Sequence, residues 1–453
     1  MTIGDGSSQS LLKIAFEQFV ENIQAAREAI DDPALKPPPP TDRNLAEGYK
    51  YLLGYLYTGA ERILAEDVDV PYFRRAFPPV GKATWDNSDG LYLAAKIDAD
   101  QSYLVRGNAH DVSNWAGRPA AKGQCAPQYV MFAPITQYTG DTGNLLELRP
   151  ETTLDCGFLD SGNLIVDGNG YFEILISPAR PKDYAGNFIS TKTNLPSGDE
   201  RAATYLVCRQ FFSDWENEYN LDLEIENLNK VGCAPPPLTP AIMAEKLDRF
   251  GRLVNNQMRF WNQFYAIVLN GYGDSPIETP VSYKGVNILA QPNIPSGGVG
   301  AAPKSSIYSG GTFELTPGEA LIVEQNMPEA PAYGGFSLCN IWGQSLDYEN
   351  NTTSISNGQM SRDKDGAIRY VVSERDPGIN NWLNTTGLDR GLMTLRWIYY
   401  KQPSDLPTVK IKKVLFDDIS AHLPDDTPML EPGARQKQIA IRQRHCQRRF
   451  RQS

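Results

Sequence analysis

Histidine and cysteine are scarce in this sequence of 453 residues, and each scarcity excludes a kind of site. The three histidines, His110, His422 and His445, are too few and too scattered for a metal site with several histidine ligands. The six cysteines include no Cys-x-x-Cys pair, so a local zinc site is not expected, and their wide spacing does not resemble a disulfide framework. The sequence therefore predicts a reduced, cytoplasmic protein without a metal centre.

Long apolar runs and familiar catalytic motifs are also missing. No stretch approaches the roughly 18 apolar residues that cross a bilayer, and residues 1–20 lack the basic and apolar segments of a signal peptide. We find no Gly-x-Ser-x-Gly nucleophile elbow and no P-loop. The glycine-rich "PSGGVGAAPKSS" (Pro295–Ser306) has the wrong spacing for a P-loop and is interpreted as a flexible loop or lid. We expect no membrane span.

The charge of the chain is negative overall but unevenly distributed. A net charge of −11 argues against non-specific binding to nucleic acid, so no nucleic-acid partner is expected. Ala434–Ser453, however, contains seven Arg or Lys and no Asp or Glu. We interpret this segment as a terminal helix that lies on an acidic body of the protein. Contact of this segment with RNA or an anionic lipid is the alternative interpretation.

The order of helical and strand patterns predicts the domain organisation. The 38 glycines and 33 prolines favour many turns and therefore many strands. Thr239 and Pro240 are a good cap and first residue for a long central helix. The predicted parts are an N-terminal helical region, a first β unit, a connecting helix, a second β unit and a C-terminal extension with the basic helix, at 1–75, 76–232, 233–270, 271–405 and 406–453. The predicted fold is mainly β with α-helical additions, built from two jelly-roll or β-sandwich units.

The two β units resemble each other in sequence. "GNLIVDGNGYFEILISPARP" (Gly162–Pro181) aligns with "GQMSRDKDGAIRYVVSERDP" (Gly358–Pro377) at an offset of 196 without a gap, and five of 20 positions are identical. Two further landmarks follow in the same order. The first is an Asn-aromatic pair, Asn187–Phe188 or Asn381–Trp382, and the second is a strand with a central arginine. This ordered series predicts an internal duplication.

The central arginine of each closing strand, Arg209 or Arg396, needs a partner. Arginine is rarely buried alone, so each should meet a carboxylate or a row of backbone carbonyl groups. In one interpretation, both residues simply tie down a loop. In the functional alternative, one of them faces a pocket and holds an anionic or carbonyl group of a ligand.

Three segments carry a resemblance to a known family. They are "LVCRQFFSDWENE" (Leu206–Glu218), "GGFSLCNIWGQSLDY" (Gly334–Tyr348) and "DPGINNWLNTTGLDRGLMTLRW" (Asp376–Trp397). The chain, over about residues 80–450, resembles bacterial proteins with the domain of unknown function 1214, which is often joined to the domain of unknown function 1254. The resemblance implies β-sandwich or jelly-roll folds and transfers no catalytic residue. Since the first 75 residues are predicted to be helical, we do not expect the companion domain of unknown function 1254 in this chain.

Three residues are candidates for catalysis. His110, in "RGNAHDVSNW", is either a histidine with a backbone partner or a general acid or base. Asp214 lies in "FFSDWENE", where Glu216 and Glu218 would share its face if the strand continued that far. Such a run is either a solvated strand end or a group of carboxylates for Ca²⁺ or acid–base chemistry. Arg396 completes the predicted catalytic set.

Aromatic residues are plentiful, with 22 Tyr, 17 Phe and seven Trp. Those near predicted loops suit a ligand with a ring, although aromatic residues are also ordinary core of β-sandwiches. We predict a pocket where the two β units meet, lined by Trp85, Tyr92 and Trp382. The predicted substrate-binding residues are Trp85, Tyr92, Arg106, Trp342 and Trp382.

Three functions are compatible with these patterns. The first is an enzyme without a cofactor, a lyase, isomerase or hydrolase, that acts on a hydrophobic or ring-containing small molecule by general acid–base chemistry. The second is a carbohydrate-active or carbohydrate-binding protein, which requires paired carboxylates beside an aromatic platform. The third is a non-catalytic scaffold that forms a homo-oligomer through its terminal helices and has a large apolar interface.

Overall fold

The computed structural model describes residues 6–30, 41–118, 124–148, 158–194, 198–271, 284–293 and 305–451. The helices are α1 (Gly6–Glu28), α2 (Asp42–Ala60), α3 (Pro240–Leu269) and α4 (Ala434–Cys446). Shorter helical turns occur at Glu61–Ala65, Ser113–Ala116, Leu145–Leu148, Phe416–His422 and Gln447–Arg451. The predicted loop or lid at Pro295–Ser306 lies outside the described residues except for its last two.

The strands are numbered in chain order. Those of the first unit are β1 (Arg74–Arg75), β2 (Gly90–Lys96), β3 (Tyr103–Asn108), β4 (Tyr129–Ile135), β5 (Leu159–Asp160), β6 (Tyr171–Ser177), β7 (Asn187–Ser190), β8 (Lys192–Asn194), β9 (Glu200–Ala202), β10 (Tyr205–Phe211) and β11 (Asp222–Asn227). Those of the second unit are β12 (Ser306–Glu314), β13 (Glu319–Asn326), β14 (Tyr333–Cys339), β15 (Ser354–Ser356), β16 (Ile368–Ser373), β17 (Trp382–Asn384), β18 (Arg390–Ile398) and β19 (Thr408–Leu415).

The described strands form two β-sandwiches that share one topology. In the first unit, one sheet has the order β1-β2-β10-β4-β5 and the other has β11-β3-β6-β7. In the second unit, the corresponding orders are β12-β18-β14-β15 and β19-β13-β16-β17. Apart from β1 and the small β8–β9 hairpin, each strand of the first unit therefore has a counterpart at the same place in the second. This repeated topology confirms the mainly β fold class and the predicted duplication.

The second sandwich extends past residue 405, where we predicted its end. β19 pairs with β13 from Thr408 to Leu415, so it completes a sheet of this sandwich. Its Val409 lies in the core of the second unit, while the three lysines of "TVKIKKVL" are exposed to solvent. The loop rich in proline and serine before β19 is therefore a connection within the unit and not its end.

The Asn-aromatic landmark has a structural reason in the first unit. The Asn187 side chain is buried and binds two separate parts of the backbone. Its Nδ2 donates to the carbonyl oxygens of Ile165 and Glu173, at 2.9 Å each, and its Oδ1 accepts the Ile165 N–H at 2.8 Å. The side chain thereby provides hydrogen-bond partners for backbone groups of Ile165 and Glu173.

The second copy repeats these bonds. Asn381 donates to the carbonyl oxygens of Ser361 and Arg369, at 2.7 and 3.1 Å, and accepts the Ser361 N–H at 2.8 Å. Ser361 and Arg369 are the residues that the sequence alignment pairs with the partners of Asn187. The asparagine of the repeat is therefore part of the architecture of each β unit.

The closing strands β10 and β18 each have two different faces, because successive side chains of a strand point to opposite sides. Cys208 packs in the core between the two sheets of the first sandwich, so its neighbour Arg209 lies on the outer face. In β18, Leu395 and Trp397 pack in the core of the second sandwich and Arg396 lies on the other side. The two arginines therefore point out of their own sandwiches.

The outer faces of these two sheets meet each other. Phe211 of β10 stacks on Tyr333 of β14, with ring centres 5.0 Å apart. Met131 and Val207 of the first unit share an apolar cluster with Ile398 of the second. The contact between the units thus buries apolar surface on the faces that also carry the two arginines.

The helices pack beside this junction. As predicted, α3 begins with a Thr239 cap, whose Oγ1 accepts the Ile242 N–H at 3.3 Å, followed by proline. Phe19 of α1 contacts Phe250 of α3, with ring centres 5.0 Å apart. The helix cluster continues into the second unit through Trp342. The predicted N-terminal, connecting and C-terminal helices are confirmed.

The basic C-terminal segment is partly buried and meets the predicted acidic surface only in part. Arg435 ion-pairs with Asp376 at 2.9 Å, whereas the more buried arginines contact backbone carbonyls. Arg442 donates to the backbone carbonyl of Ser354, and Arg449 donates to that of Ser88 at 2.9 Å. The Arg449 guanidinium also lies 4.6–5.5 Å from the centres of four rings, which are Phe212, Trp215, Tyr348 and Phe450. Because these partners come from both β units, the segment joins the two sandwiches.

Candidate active site

A cavity of about 300 Å³ lies where the two outer sheet faces meet the helices. Its walls come from β2, β4 and β10 of the first unit, from β12 and β18 of the second, and from α2 and α3. Apolar side chains cover much of the wall, and they include Phe77, Phe211, Leu253, Trp261 and Phe264. A mostly apolar cavity of this size suits a small molecule.

The duplication brings two equivalent arginine–tyrosine pairs to this cavity. Arg209 lies opposite Tyr92 in the ladder of β10 and β2, and Arg396 lies opposite Tyr308 in the ladder of β18 and β12. All four side chains line the cavity. The Arg209 guanidinium carbon lies 5.9 Å from the centre of the Tyr92 ring. Each unit therefore contributes a cation and a phenol hydroxyl to the same space.

Arg396 is buried with neutral partners. Its guanidinium donates to the Trp85 carbonyl at 2.6 Å and to the Ser337 hydroxyl at 2.9 Å, and the residue is 6% exposed. Among the described residues, no carboxylate lies within ion-pair distance of it. Arg62, in the same wall, differs because it makes a two-pronged ion pair with Asp141 at 2.7 and 3.0 Å. Arg396 thus has no direct ion-pair partner in the described part of the chain, although its charge also acts on the buried Asp86 of the same wall.

The backbone beside Arg396 is strained. Thr84 and Trp85 have φ values of 61° and 59°, in the left-handed region that non-glycine residues seldom occupy. The Trp85 N–H donates to the Gly343 carbonyl at 2.9 Å, which helps to hold this conformation together with the bond from Arg396 to the Trp85 carbonyl. Gly310 leaves room for the ring, since a Cβ there would lie 3.3 Å from it. Strain of this kind is frequent at functional sites.

Three buried polar atoms of the wall make no hydrogen bond within the described protein. One is Nε of the ion-paired Arg62, and the other two are Trp85 Nε1 and Thr394 Oγ1. Thr394 is 5% exposed and lies on the same face of β18 as Arg396, two residues before it. Trp85 Nε1 and Thr394 Oγ1 can each donate a hydrogen bond to an oxygen of a ligand, so they add polar recognition to an apolar cavity.

Asp86 and Tyr92 are the groups of the wall that suit proton transfer. Burial raises the pKa of Asp86 above its usual range, although Lys82 opposes the rise, and its carboxylate accepts the Ser345 N–H at 2.8 Å and the Ser345 hydroxyl at 2.6 Å. Burial also raises the pKa of Tyr92 to about 12, and its hydroxyl accepts the Asn87 N–H at 3.2 Å. Tyr92 therefore keeps its proton at neutral pH and can donate a hydrogen bond to an oxygen on which negative charge develops.

The structure brings Trp85, Tyr92 and Arg396 together and separates them from the other predicted binding residues. The prediction that Trp382 lines this pocket is wrong, because its indole N–H donates to the Ser373 hydroxyl at 3.0 Å inside the second unit. Trp342 donates to the Asn44 carbonyl at 2.9 Å and packs among the helices. Trp342 and Trp382 therefore both pack in the core, although both lie next to predicted loops.

Arg106 lies on a sheet surface away from the cavity. It ion-pairs with Glu226 at 3.0 Å and with Glu173 at 3.5 Å, on the neighbouring strands of its own sheet. This arrangement is a cross-strand charge cluster that is partly exposed to solvent. The residue therefore has no contact with the cavity wall.

His110 and Asp214 also lie outside the cavity wall. The His110 Nε2 lies 3.1 Å from the Asn220 carbonyl oxygen, which is the backbone partner of the simpler interpretation. Asp214 is exposed, and its Oδ1 accepts the N–H groups of Glu216 and Asn217 at 2.9 and 3.2 Å. Their predicted catalytic roles stay predictions, with no link to the cavity.

The acidic run after β10 does not form one strand face as we had considered. The strand ends at Phe211, and the following turn buries Glu218 while it exposes Asp214. The Glu218 carboxylate accepts the N–H groups of Gln128, Ser213 and Asp214 at 2.8–3.0 Å. Within the described part of the chain, no group of three or more His, Cys, Asp or Glu side chains is placed to hold a metal ion.

The sequence interpretation missed Asp86, Thr394 and Tyr308. A signal was available for Thr394 alone, because the repeat places Arg396 at the position of Arg209 and strand alternation then assigns its i − 2 neighbour to the same face. Tyr308 corresponds to Tyr92 only through the pairing of β12 with β18, which a sequence does not reveal.

Comparison with solved structures shows the fold. The chain is similar to an uncharacterised protein from Burkholderia cenocepacia, with a TM-score of 0.72 and 22% identity over 90% of this chain and 99% of that one. A protein from Vibrio parahaemolyticus matches with a TM-score of 0.40 and 11% identity over 86% of this chain and all of that one. No helix among the described residues is long and apolar enough to cross a membrane.

Comparison with sequences gives no family. No family model matches the chain, and no curated protein matches it either. The resemblance to the domain of unknown function 1214 therefore stays a prediction. The functional interpretation depends on the geometry of the cavity.

We expect Arg396→Met to change the free energy of unfolding by less than about 1.5 kcal/mol, because removal of a buried charge that has no ion-pair partner among the described residues offsets the lost hydrogen bonds. Arg62→Met is the matched control in the same wall. It leaves the Asp141 carboxylate without its guanidinium and should lower the free energy of unfolding by about 3 kcal/mol. Denaturant unfolding measures both variants. Equal losses would show that Arg396 is balanced by its neighbours.

We expect stability to fall between pH 5 and pH 8 because of Glu218. Burial raises its pKa to about 8, although backbone N–H donors oppose the rise. Protonated Glu218 therefore favours the folded state, and its contribution is complete below about pH 4.5 and is lost as the pH rises to about 8.

The test compares thermal and denaturant unfolding of the parent and Glu218→Gln over this range. The parent should lose at least about 1.4 kcal/mol more than Glu218→Gln, which corresponds to one pKa unit. Glu216→Gln, at an exposed position of the same turn, should follow the parent. Parallel curves for the parent and Glu218→Gln would contradict the expectation.

Proposed function

We propose that this protein is a cytoplasmic enzyme that acts on a hydrophobic or ring-containing small molecule by general acid–base chemistry. The observation that carries the proposal is the cavity between the two β units, in which an aromatic wall meets Arg396, Tyr92 and Asp86. The cysteines Cys125, Cys208, Cys233, Cys339 and Cys446 are free thiols, which supports a reducing compartment.

The apolar part of the cavity supports binding of a ring. Trp85, Phe211 and Phe264 provide faces and edges against which a flat apolar ligand can pack. Arg396 and Thr394 stand on one strand face of the same cavity and provide polar contacts for a substituent. Binding would therefore orient the ring in a fixed direction relative to the polar groups.

The polar part of the cavity supports proton transfer. In this proposal, the Tyr92 hydroxyl donates to an oxygen of the substrate as negative charge develops on it, and Arg396 stabilises that charge. Asp86 accepts a proton from the substrate, since its raised pKa makes it a stronger base than an ordinary aspartate. Lyase, isomerase and hydrolase reactions all contain such a step.

The carbohydrate alternative has less support. A glycoside hydrolase of the usual kind needs two carboxylates that flank the bond to be broken. Within the described wall of the cavity, Asp86 is the one carboxylate side chain. Trp342 and Trp382, two of the predicted substrate-binding residues, are buried in other contacts and offer no exposed aromatic platform.

The test is a panel of neutral, acidic and basic compounds with one or two rings, followed by thermal shift and titration calorimetry. Compounds that bind should raise the melting temperature, and Gly310→Val should weaken binding at least about tenfold, because its side chain enters the space beneath Trp85. Gly168→Val, at a turn where a Cβ meets open space, is the control.

The same compounds test the chemistry. Incubation in deuterated water, followed by mass spectrometry and NMR, detects exchange or conversion of a bound compound. Tyr92→Phe and Asp86→Asn should each slow the reaction at least about 100-fold. If compounds bind and Gly310→Val has no effect on their affinity, the cavity is not the site of binding. If both proton-transfer variants retain full activity, the proposed chemistry is wrong.

A second candidate, the homo-oligomeric scaffold, is supported by apolar side chains on the outside of the N-terminal helices. Tyr49, Leu53 and Tyr57 follow one another at four-residue steps on α2 and are 47–60% exposed. Phe16 and Val20 of α1 are also about half exposed. Such a row is typical of a helix face that packs on another chain.

The two functions are compatible, and the oligomer has a separate test. Light scattering after size-exclusion chromatography should give a mass that is a multiple of 50.3 kDa for the parent. The double variant Leu53→Lys, Tyr57→Lys should give a monomer, because two charges in an apolar interface oppose association. Lys50→Ala, at an exposed polar position of the same helix, is the control. A monomeric parent would exclude the scaffold.

A further inference from the structure

We infer that the compound bound in the cavity carries a carboxylate and that Arg396 and Arg209, one from each β unit, hold it. The substrate class would then be a small ring compound with a carboxylate substituent. This inference rests on the proposed function, because it names the substrate class of the same cavity. It goes further by assigning the charge of the ligand and the two residues that recognise that charge.

The charges in the wall support an anionic ligand. Arg62 and Arg74 each have a carboxylate partner, Asp141 and Glu66, so their charges are balanced within the protein. Arg396 donates to a carbonyl and a hydroxyl oxygen, and no carboxylate among the described residues pairs with it. A buried cation without an ion-pair partner is costly, and an anionic group of the ligand that contacts Arg396 would reduce that cost.

The position of Tyr92 indicates that the two arginines reach the same place. Its ring lies 5.9 Å from the Arg209 guanidinium carbon. The pKa of its hydroxyl is raised to about 12 by burial, and the charges of Arg396 and Arg209 oppose this rise. Both cations therefore act on one phenol group. A single anionic group next to Tyr92 would therefore be attracted by both arginines of the cavity wall.

The donors that remain suit a carboxylate. Each Nη atom of Arg396 donates one hydrogen bond to a protein oxygen, which leaves the other N–H groups of its guanidinium for a ligand. Thr394 Oγ1 and Trp85 Nε1 are without partners in the described protein and can supply one bond each. A planar carboxylate can accept hydrogen bonds from the guanidinium and from these two donors.

The duplication explains why the site has two cations. The arginine occurs at the same place in each copy of the β unit, on the face that points out of its sandwich. When the two outer faces pack on each other, both copies turn the residue toward one cavity. The equivalent arginines of the two copies, Arg209 and Arg396, can thereby both contact one ligand in the cavity.

The test compares ring carboxylates with their uncharged amides. Benzoate, cyclohexanecarboxylate, 2-naphthoate and indole-3-acetate are titrated against the purified protein by calorimetry, each beside its primary amide. We expect each acid that binds to have at least about tenfold higher affinity than its amide. Arg396→Met and Arg209→Met should abolish this preference or reduce it severalfold, while Arg375→Met, at an exposed arginine, should leave it unchanged.

A conservative variant keeps the test informative if Arg396→Met folds poorly. Arg396→Lys retains the charge and loses the planar fork, so it should retain part of the preference for acids and bind them more weakly than the parent. Circular dichroism and the unfolding midpoint establish that each variant is folded. Added salt should weaken the acids more than the amides, because the contact is between charges.

The results separate this inference from the proposed function. Equal affinity for acids and amides, with both weakened by Gly310→Val, would overturn the carboxylate and leave the ring-binding cavity in place. Binding of neither acids nor amides would also overturn the inference, and the neutral and basic ring compounds of the wider panel would then decide the proposed function. A preference for acids that survives in both arginine→methionine variants would assign the carboxylate to another site.

Discussion

Each strand in a two-sheet sandwich buries one face in the core of its own unit. The rest of this structure depends on what packs against the other face. In β10 and β18 the second face is covered by the neighbouring unit. The cavity is the part of that contact which the two sheets and the helices do not fill. Its position therefore follows from packing two twisted sandwiches against each other, since their outer faces match only in part.

Buried arginines connect the separate parts of the chain. Arg396 joins the second unit to the strained segment at Trp85, and Arg449 joins the C-terminal segment to the carbonyl of Ser88 and to rings of both units. Arg396 donates to a carbonyl and a hydroxyl oxygen, and Arg449 donates to a carbonyl oxygen and is surrounded by aromatic rings, so the groups in direct contact with each guanidinium are uncharged. At Arg449 the surrounding rings close the site. At Arg396 the charge faces a cavity, and this difference separates an architectural arginine from a candidate binding residue.

The fold was predictable where a local pattern has one physical meaning. The Thr239–Pro240 start of α3 is such a case, because the cap and the proline act within one helical turn. The Asn187 and Asn381 landmarks are another, since each supplies three hydrogen bonds inside its own unit. Prediction was weaker where the same residue type serves two purposes. Trp85 and Trp382 both lie near loops, and only packing decides that one lines a cavity while the other closes a core.

By itself, the sequence determined the helices, the duplicated β units and the arginine on each closing strand, because periodicity, capping and a repeat are local properties of the chain. It also determined that Arg209 and Cys208 face opposite ways, because a strand alternates. Only the tertiary structure decided that the two arginine faces meet at one cavity, that Asp86 and Thr394 belong to its wall, and that His110 and Asp214 do not. The physical reason is that contacts between the two units depend on how whole sheets pack. The local sequence around a residue does not reveal which distant residues that packing brings near.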